Sequence, residues 1–193
     1  MTKNWNGSEK SLFSILGASN HSKTEREQND YYATPPEAVE HLLHLERFNN
    51  ILEPACGEGH ISEVLKKYGY KVTSSDIIDR GYGEVKDFAE YTEWKGDIIT
   101  NPPYKFALDF VKHAIKIIPS GYKIAMFLKI QFLEGKARKK FFMKHPPKTV
   151  YVSSSRLSCG KNGDFGKKPD AVCYCWFIWE KGFCGNPIIR WFN

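Results

Sequence analysis

The sequence predicts an α/β fold organised on a doubly wound, mostly parallel sheet, and three observations carry that expectation. Short apolar, β-branched runs alternate with segments of helical spacing, the pattern of repeated strand and helix units. A glycine turn joins the first of these strands to its helix, and an acidic residue closes the second strand about 20 residues later, as in ligand sites of parallel sheets. A third apolar run, DIIT, stops at an Asn-Pro-Pro-Tyr corner, Asn101 to Tyr104, so a buried strand delivers a rigid loop to the sheet edge.

Each element follows in order. Residues 1–29 are rich in Asn, Ser, Lys and Glu, with Leu12, Phe13, Ile15 and Leu16 as a small apolar cluster; a mobile or draped arm is expected there, and a single domain over 30–193. In DYYATPPEAVEHLLHL, Thr34 reads as an N-cap, Pro35 as the first helical residue, and Ala38, Leu42 and Leu45 as the apolar stripe. Tyr31 and Tyr32 upstream read equally as a hydrophobic staple or as part of a ligand site.

FNNILEPACGEGHISE is a strand, tight turn and helix. Gly57 and Gly59 let the backbone approach a ligand, and the helix start behind them offers free amides. Glu53 at the strand end disfavours a phosphate and points to a ligand carrying positive charge, such as a sulfonium amino acid. Asp76, closing the strand from Val72 to Ser75, suits ribose hydroxyls or the capping of the next turn. Asp87 and Phe88 offer a carboxylate and a ring to an adenine. The corner itself is either turn punctuation or a seat for a flat base; by composition the string Asn-Pro-Pro-Tyr arises about once per thousand chains of this size.

Beyond the corner, Phe106, Phe110, Ala114 and Ile117 have helical spacing, and Ile124 to Leu128 is a near-continuous apolar strand. Lys136, Arg138, Lys139 and Lys140 then lie among Phe132, Phe141 and Phe142, which suits either a nucleic-acid backbone with its bases or a solvated helix whose phenylalanines pack on the sheet. Residues 153–170 form a long polar loop with Arg156, Lys161, Phe165 and Lys167 as candidate contacts. AVCYCWFIW and NPIIRWF, joined through a glycine-bearing connection, read as a C-terminal antiparallel hairpin.

Composition bounds the function. At 193 residues the chain buries roughly 70% of its unfolded surface. No run approaches the ~20 apolar residues of a membrane span, and the polar start lacks the core of a secretion signal. Five cysteines, an odd number, favour reduced thiols, and without a CxxC pair buried cysteine is preferred to a metal site. A cytoplasmic protein is expected, with no membrane partner. The net charge of +6 is compatible with a polyanionic partner. Aromatic residues at 15% serve equally as base-stacking rings or as core filler.

With the glycine turn, the acidic residue and the corner in this order, the chain resembles the class I S-adenosylmethionine-dependent methyltransferases of the adenine-N6 type, and within them the small, phage-type DNA adenine methyltransferases. The resemblance covers about residues 28–193, extends to LKIQFLEGKAR and WFIWEKG, and implies a Rossmann-like fold in a bacterial or phage-infected host cell. It implies S-adenosylmethionine as cofactor, with Glu53, Ala55, Gly57 and Gly59 around its methionine and ribose, Asp76 on the ribose, Asp87 and Phe88 at the adenine, and Tyr32, Thr34 and Asn101 near the methionine end. It further implies that Asn101 and the Pro102 carbonyl accept the hydrogens of a target amino group, that Pro103 stiffens the corner, and that Tyr104 stacks on a flipped base. Asp97, ahead of the corner, either orients it or sits at the cofactor edge. Contacts to DNA, or to RNA as the alternative, then fall to Lys136, Arg138, Lys139, Lys140, Arg156 and Phe165. A protein glutamine is a further alternative substrate, and a non-catalytic nucleic-acid-binding module the remaining one. Relatives with a separate target-recognition domain are larger than this chain.

Overall fold

A computed structural model describes residues 32–157, 159–161 and 172–193, with backbone alone at 160 and 161. The expected arm at 1–29 and the loop residues Phe165 and Lys167 lie outside the described residues. In chain order the elements are β1 (Tyr32–Ala33), α1 (Pro36–Leu45), β2 (Ile51–Glu53), α2 (His60–Lys67), β3 (Val72–Asp76), β4 (Glu84–Val85), β5 (Ile98–Thr100) and α3 (Ala107–Ile117). They continue with β6 (Lys123–Lys129), α4 (Lys136–Phe142), β7 (Thr149–Ser153), β8 (Gly160–Lys161), β9 (Tyr174–Glu180) and β10 (Ile188–Phe192).

Eight strands form one sheet in the order β10-β7-β9-β6-β5-β2-β3-β4. All neighbours run parallel except β9, which is antiparallel to both β6 and β7. The doubly wound α/β class is therefore as expected, with a mostly parallel sheet and an antiparallel C-terminal part. The C-terminal hairpin is not: β7 sits between β9 and β10, and β10 pairs with β7 in parallel, Ile188 opposite Thr149 through Phe192 opposite Ser153. Trp176 and Ile178 of β9 look one way and Phe177 and Trp179 the other, all 1% exposed or less, so β9 is an inner strand covered on both faces, and the edge falls to β10, whose Ile188, Ile189 and Trp191 are exposed.

That alternation runs across the sheet. Ile98, Ile124, Met126, Leu128, Phe177 and Trp179 pack with Phe110, Val111, Ala114 and Ile117 of α3 on one face. Ile51, Ile99, Ala125, Phe127, Trp176 and Ile178 pack with Ala38, Val39, Leu42 and Leu43 of α1 and Ile61, Val64 and Leu65 of α2 on the other. Strands buried on both faces carry continuous rather than alternating apolar sequence, which is how IIT and IAMFL read. One buried polar link fastens α1 to the sheet, the Trp176 indole N–H donating to the Ala38 carbonyl at 2.8 Å.

Two local expectations are corrected. Pro35, extended at φ −63° and ψ 137°, is the N-cap residue of α1 and Pro36 the first helical residue, with no side-chain cap; the Thr34 hydroxyl is used elsewhere. The apolar stripe of α1 is Ala38, Val39, Leu42 and Leu43, while Leu45 is exposed. A small antiparallel ladder, Tyr32 with Lys161 and Ala33 with Gly160, was not foreseen, since two-residue strands carry no periodicity to read.

Candidate active site

The chain reverses its order across the sheet between β2 and β5, and ligand clefts of open α/β sheets form at such a switch point, beyond the carboxyl ends of the strands. A cleft open to solvent lies there, where ligand sites of such sheets form. Its walls are Tyr32, Ala33 and Thr34 from β1 and its sequel; Glu53, Pro54, Ala55, Cys56, His60 and Ile61; Asp76, Ile77, Ile78 and Arg80; Asp87 and Phe88; and Asn101, Pro102, Pro103, Tyr104 and Phe110. The fold thus gathers residues from five separate stretches of sequence, with Phe110 of α3 beside them.

Among the expected cofactor residues, Gly57 and Gly59 shape the wall without lining it. Both have positive φ, 54° and 87°, a region where a side chain is strained. A Cβ at Gly59 would also come within 2.6 Å of the Tyr82 ring. The Gly57 N–H donates to Asp76 Oδ2 at 2.8 Å, and the Ile78 N–H donates to Oδ1 at 3.0 Å. Two backbone amides therefore lock the Asp76 carboxylate at the end of β3 while it faces the cleft.

Glu53, at the end of β2, is 1% exposed. The Ser62 hydroxyl donates to its Oε2, and Ser62 shares a 2.6 Å hydrogen bond with Ser74. Burial dominates the carboxyl and pushes its pKa up to about 8, with Ser62 opposing the shift. A carboxyl poised this way ionises readily when a cation arrives beside it. Burial also pushes the neighbouring Cys56 thiol up to about 12, which makes it wall material rather than a nucleophile.

The corner is held from an unexpected side. The Asn101 side-chain nitrogen donates to the Tyr32 carbonyl at 2.8 Å and to the Thr34 hydroxyl at 3.0 Å. The Tyr32 carbonyl can only accept, so the amide group must turn its NH2 toward β1. Both amide hydrogens are then committed, and what Asn101 offers the cleft is its oxygen. Pro102 is buried behind it, and Tyr104 opens a short 3-10 turn with its ring 5.9 Å from that of Tyr32. Tyr32 lines the cleft, so the ligand-site alternative for it stands over the staple.

Asp87 caps the 3-10 turn Phe88–Glu90, accepting from the Ala89 N–H at 2.9 Å. Phe88 is 1% exposed and packs against Phe110 and His113, so it forms the floor of this end rather than a free ring.

Asp97 neither orients the corner nor reaches the cleft. It precedes β5 at the opposite end of that strand, where its carboxylate accepts from the Asn49 and Lys123 amides, each at 2.6 Å. It clamps the starts of β5 and β6 to the segment leading into β2.

The basic segment divides. Phe132 and Phe141 are buried and Phe142 half-buried, so the rings pack on the sheet. Arg138 donates to the Glu134 and Gln131 carbonyls and lies over the Phe132 ring. Lys136, Lys139 and Lys140 are exposed, and Arg156 is exposed in the loop after β7. None of the four lines the cleft, and Lys136 and Lys139 border a separate groove with Met143 and Lys144. Sequence reading missed His60, Ile77, Ile78, Arg80 and Phe110 as cleft residues; Ile77, Ile78 and Arg80 follow Asp76 closely in the chain and His60 follows the glycine turn, while nothing local marks Phe110 as more than a residue of the helical stripe. Among the described residues no cluster of His, Cys, Asp and Glu is arranged to hold a metal, and no helix is long and apolar enough to cross a membrane.

No protein-family model matches the chain, and no curated protein matches it by sequence. Solved structures do match its fold. A protein of Listeria monocytogenes named as a class I S-adenosylmethionine-dependent methyltransferase superposes with a TM-score of 0.59 at 14% identity, over 86% of this chain and 68% of its own. One from Pyrococcus horikoshii, named as an RNA methyltransferase, gives 0.58 at 16% identity over 90% and 96%. The methyltransferase subunit of a type I restriction-modification system from Streptococcus thermophilus gives 0.61 at 13% identity over 83% of this chain and 47% of its own. The chain therefore has the fold of class I S-adenosylmethionine-dependent methyltransferases.

Proposed function

We propose that the protein is an S-adenosylmethionine-dependent methyltransferase acting on the exocyclic N6 amino group of adenine in DNA, with the base flipped into the cleft. The observation that carries this reading is the orientation of Asn101: its nitrogen is tied to Tyr32 and Thr34, leaving the oxygen as an acceptor at the mouth of the switch point.

The cleft fits the cofactor by its chemistry. Glu53 is a buried carboxyl next to the glycine turn, matched to a cationic methionine end; Asp76 is a fixed acceptor for ribose hydroxyls; Ile77, Ile78 and Phe88 give an apolar seat for the purine beside Asp87. When bound, the cofactor supplies a methyl group on an electron-poor sulfonium.

The residues of this chain supply the rest. The amino nitrogen of adenine is a poor nucleophile because its lone pair is delocalised into the ring. Asn101 Oδ1 and the Pro102 carbonyl accept its two hydrogens, which turns the lone pair toward the cofactor half of the cleft and takes up the positive charge that grows on nitrogen. Acceptors fixed before the reaction stabilise that charge without reorganising, and holding the two partners in one cleft removes much of the entropic barrier. Pro102 and Pro103 keep the corner from relaxing, and Tyr104 holds the ring by stacking. The positive charge leaves as a proton to solvent, so no strong base is needed.

A polynucleotide is favoured over a protein amide by the net charge of +6 and the exposed Lys136, Lys139 and Lys140 on α4. RNA is the second reading, supported by the structural likeness to a protein named as an RNA methyltransferase. The test is incubation with methyl-labelled cofactor and DNA, RNA or a protein extract, followed by mass spectrometry of the hydrolysed nucleosides. The expected product is N6-methyladenine in DNA. Label confined to RNA or to glutamine overturns the DNA assignment.

A further inference from the structure

β6 runs past Met126, the partner of Thr100, to end at Lys129 above the Asn-Pro-Pro-Tyr corner. The half-buried Lys129 ammonium lies 4.6 Å from the Tyr104 ring centre and 5.6 Å from that of Tyr32. Both rings line the cleft. Among the described residues no carboxylate or carbonyl pairs with this ammonium, which rests on the two ring faces. Other lysines near carboxylates are paired, as Lys123 is with Glu46 and Lys148 with Glu180.

Ring faces hold a cation in place without neutralising it. On the proposed reaction a sulfonium and a developing ammonium gather in the same cleft, and a third positive charge beside them is unfavourable unless an anion arrives with it. The methionine carboxylate of the cofactor is one anion, but it is offset by the ammonium on the same carbon. A nucleobase is neutral and so is a protein amide, whereas a nucleotide also brings an unpaired phosphodiester. We infer that Lys129 is a substrate-binding residue that holds a phosphate flanking the extruded nucleotide, and that it thereby selects a polynucleotide over a protein side chain. The inference rests on the proposed nucleotide substrate. It adds a contact within the cleft, apart from the lysines of α4.

The test uses the full chain and a DNA duplex that the wild-type protein methylates. Lys129→Gln keeps the stem and removes the charge; Lys129→Arg keeps the charge. Lys129→Gln is expected to raise KM for the duplex on the order of tenfold, as for loss of a charged hydrogen bond, with a much smaller change in kcat. The slope of log affinity against log salt should fall by about one. Duplexes with one neutral methylphosphonate at each phosphate around the target separate a phosphate contact from a packing role. One position should cost the wild type and Lys129→Arg a similar factor, yet cost Lys129→Gln nothing further. Full additivity at every position, or an unchanged salt slope, overturns the inference while wild-type methylation of DNA still stands. Failure of the wild type to methylate any DNA or RNA overturns the function reading itself, and this inference with it. Calorimetry with S-adenosylmethionine separates the two anions: wild-type affinity in Lys129→Gln shows a folded variant whose lysine does not serve the cofactor carboxylate, and a selective loss of cofactor affinity with an unchanged melting temperature overturns the inference.

Discussion

Thr34→Val is the sharpest probe of the corner, because it deletes one oxygen from a site where shape is otherwise kept. Thr34 is 2% exposed, and its hydroxyl accepts one of the two hydrogens of the Asn101 amide at 3.0 Å. Valine leaves that hydrogen without a partner while the Tyr32 carbonyl still holds the other at 2.8 Å. An orphaned donor costs about 1–3 kcal/mol, and since Asn101 is half-buried the lower part of that range, about 1–2 kcal/mol, applies. If the strain appears as lost alignment of the acceptor in the transition state, kcat falls roughly 5- to 30-fold. Single-turnover methyl transfer, with the variant saturated in cofactor and substrate, reads that step directly. Thr34→Ser keeps the hydroxyl and should retain activity near that of the wild type. A Thr34→Val protein with wild-type single-turnover rate would show that the amide needs no anchor there, and the account of how Asn101 is aimed would fall.

Three further outcomes follow from the same geometry. Burial holds the Glu53 carboxyl at about 8 against an ordinary 4.5, so the folded chain keeps a proton that the unfolded chain releases; the resulting stabilisation is full below pH 4.5 and is lost as pH rises to about 8. Thermal melts of ligand-free protein should therefore decline between about pH 5 and 8 more steeply for the wild type than for Glu53→Gln, and parallel declines would contradict the assignment. Cofactor affinity, measured by calorimetry over the same window, should rise with pH for the wild type alone. Asp97→Ala orphans the Asn49 and Lys123 amides, which costs about 2–4 kcal/mol together; Tm should drop by roughly 4–16 °C with kcat unchanged at low temperature, and a selective loss of kcat would return Asp97 to the catalytic end. Gly59→Ala forces a Cβ against the Tyr82 ring at a φ of 87°, and should cost about 1–2 kcal/mol and weaken cofactor binding by moving the turn, seen as a lower Tm and a raised Kd.

The parallel core of this fold was legible because local pattern and global role agree. IIT and IAMFL are apolar without alternation, as strands covered on both faces must be, and PACGEG marks the turn between β2 and α2. That Glu53, Asp76 and Asn101 would meet at one cleft was legible for the same reason: each lies at the end of a strand, and a parallel sheet brings such ends together. What stayed hidden depends on partners far away in sequence. Nothing local distinguishes a β9-β10 hairpin from two strands separated by β7, because both satisfy the same apolar pattern. Thr34 looks like a helix cap until Asn101, 67 positions on, takes its hydroxyl. Asp97 stands only four positions from Asn101, yet a three-residue strand puts the two at opposite ends of the sheet. Phe132 and Phe141 show how a basic, aromatic run can divide, its charges to solvent and its rings to the core.

The central claim is that one cleft has two halves, with Asn101 serving the substrate amine rather than the binding of cofactor. Asn101→Ala tests it most directly, with S-adenosylmethionine affinity read by calorimetry and methyl transfer to DNA read from labelled cofactor on the same preparation. The account predicts cofactor affinity within about tenfold of wild type and a loss of methyl transfer on the order of a hundredfold or more. Retention of wild-type methyl transfer by Asn101→Ala would contradict it.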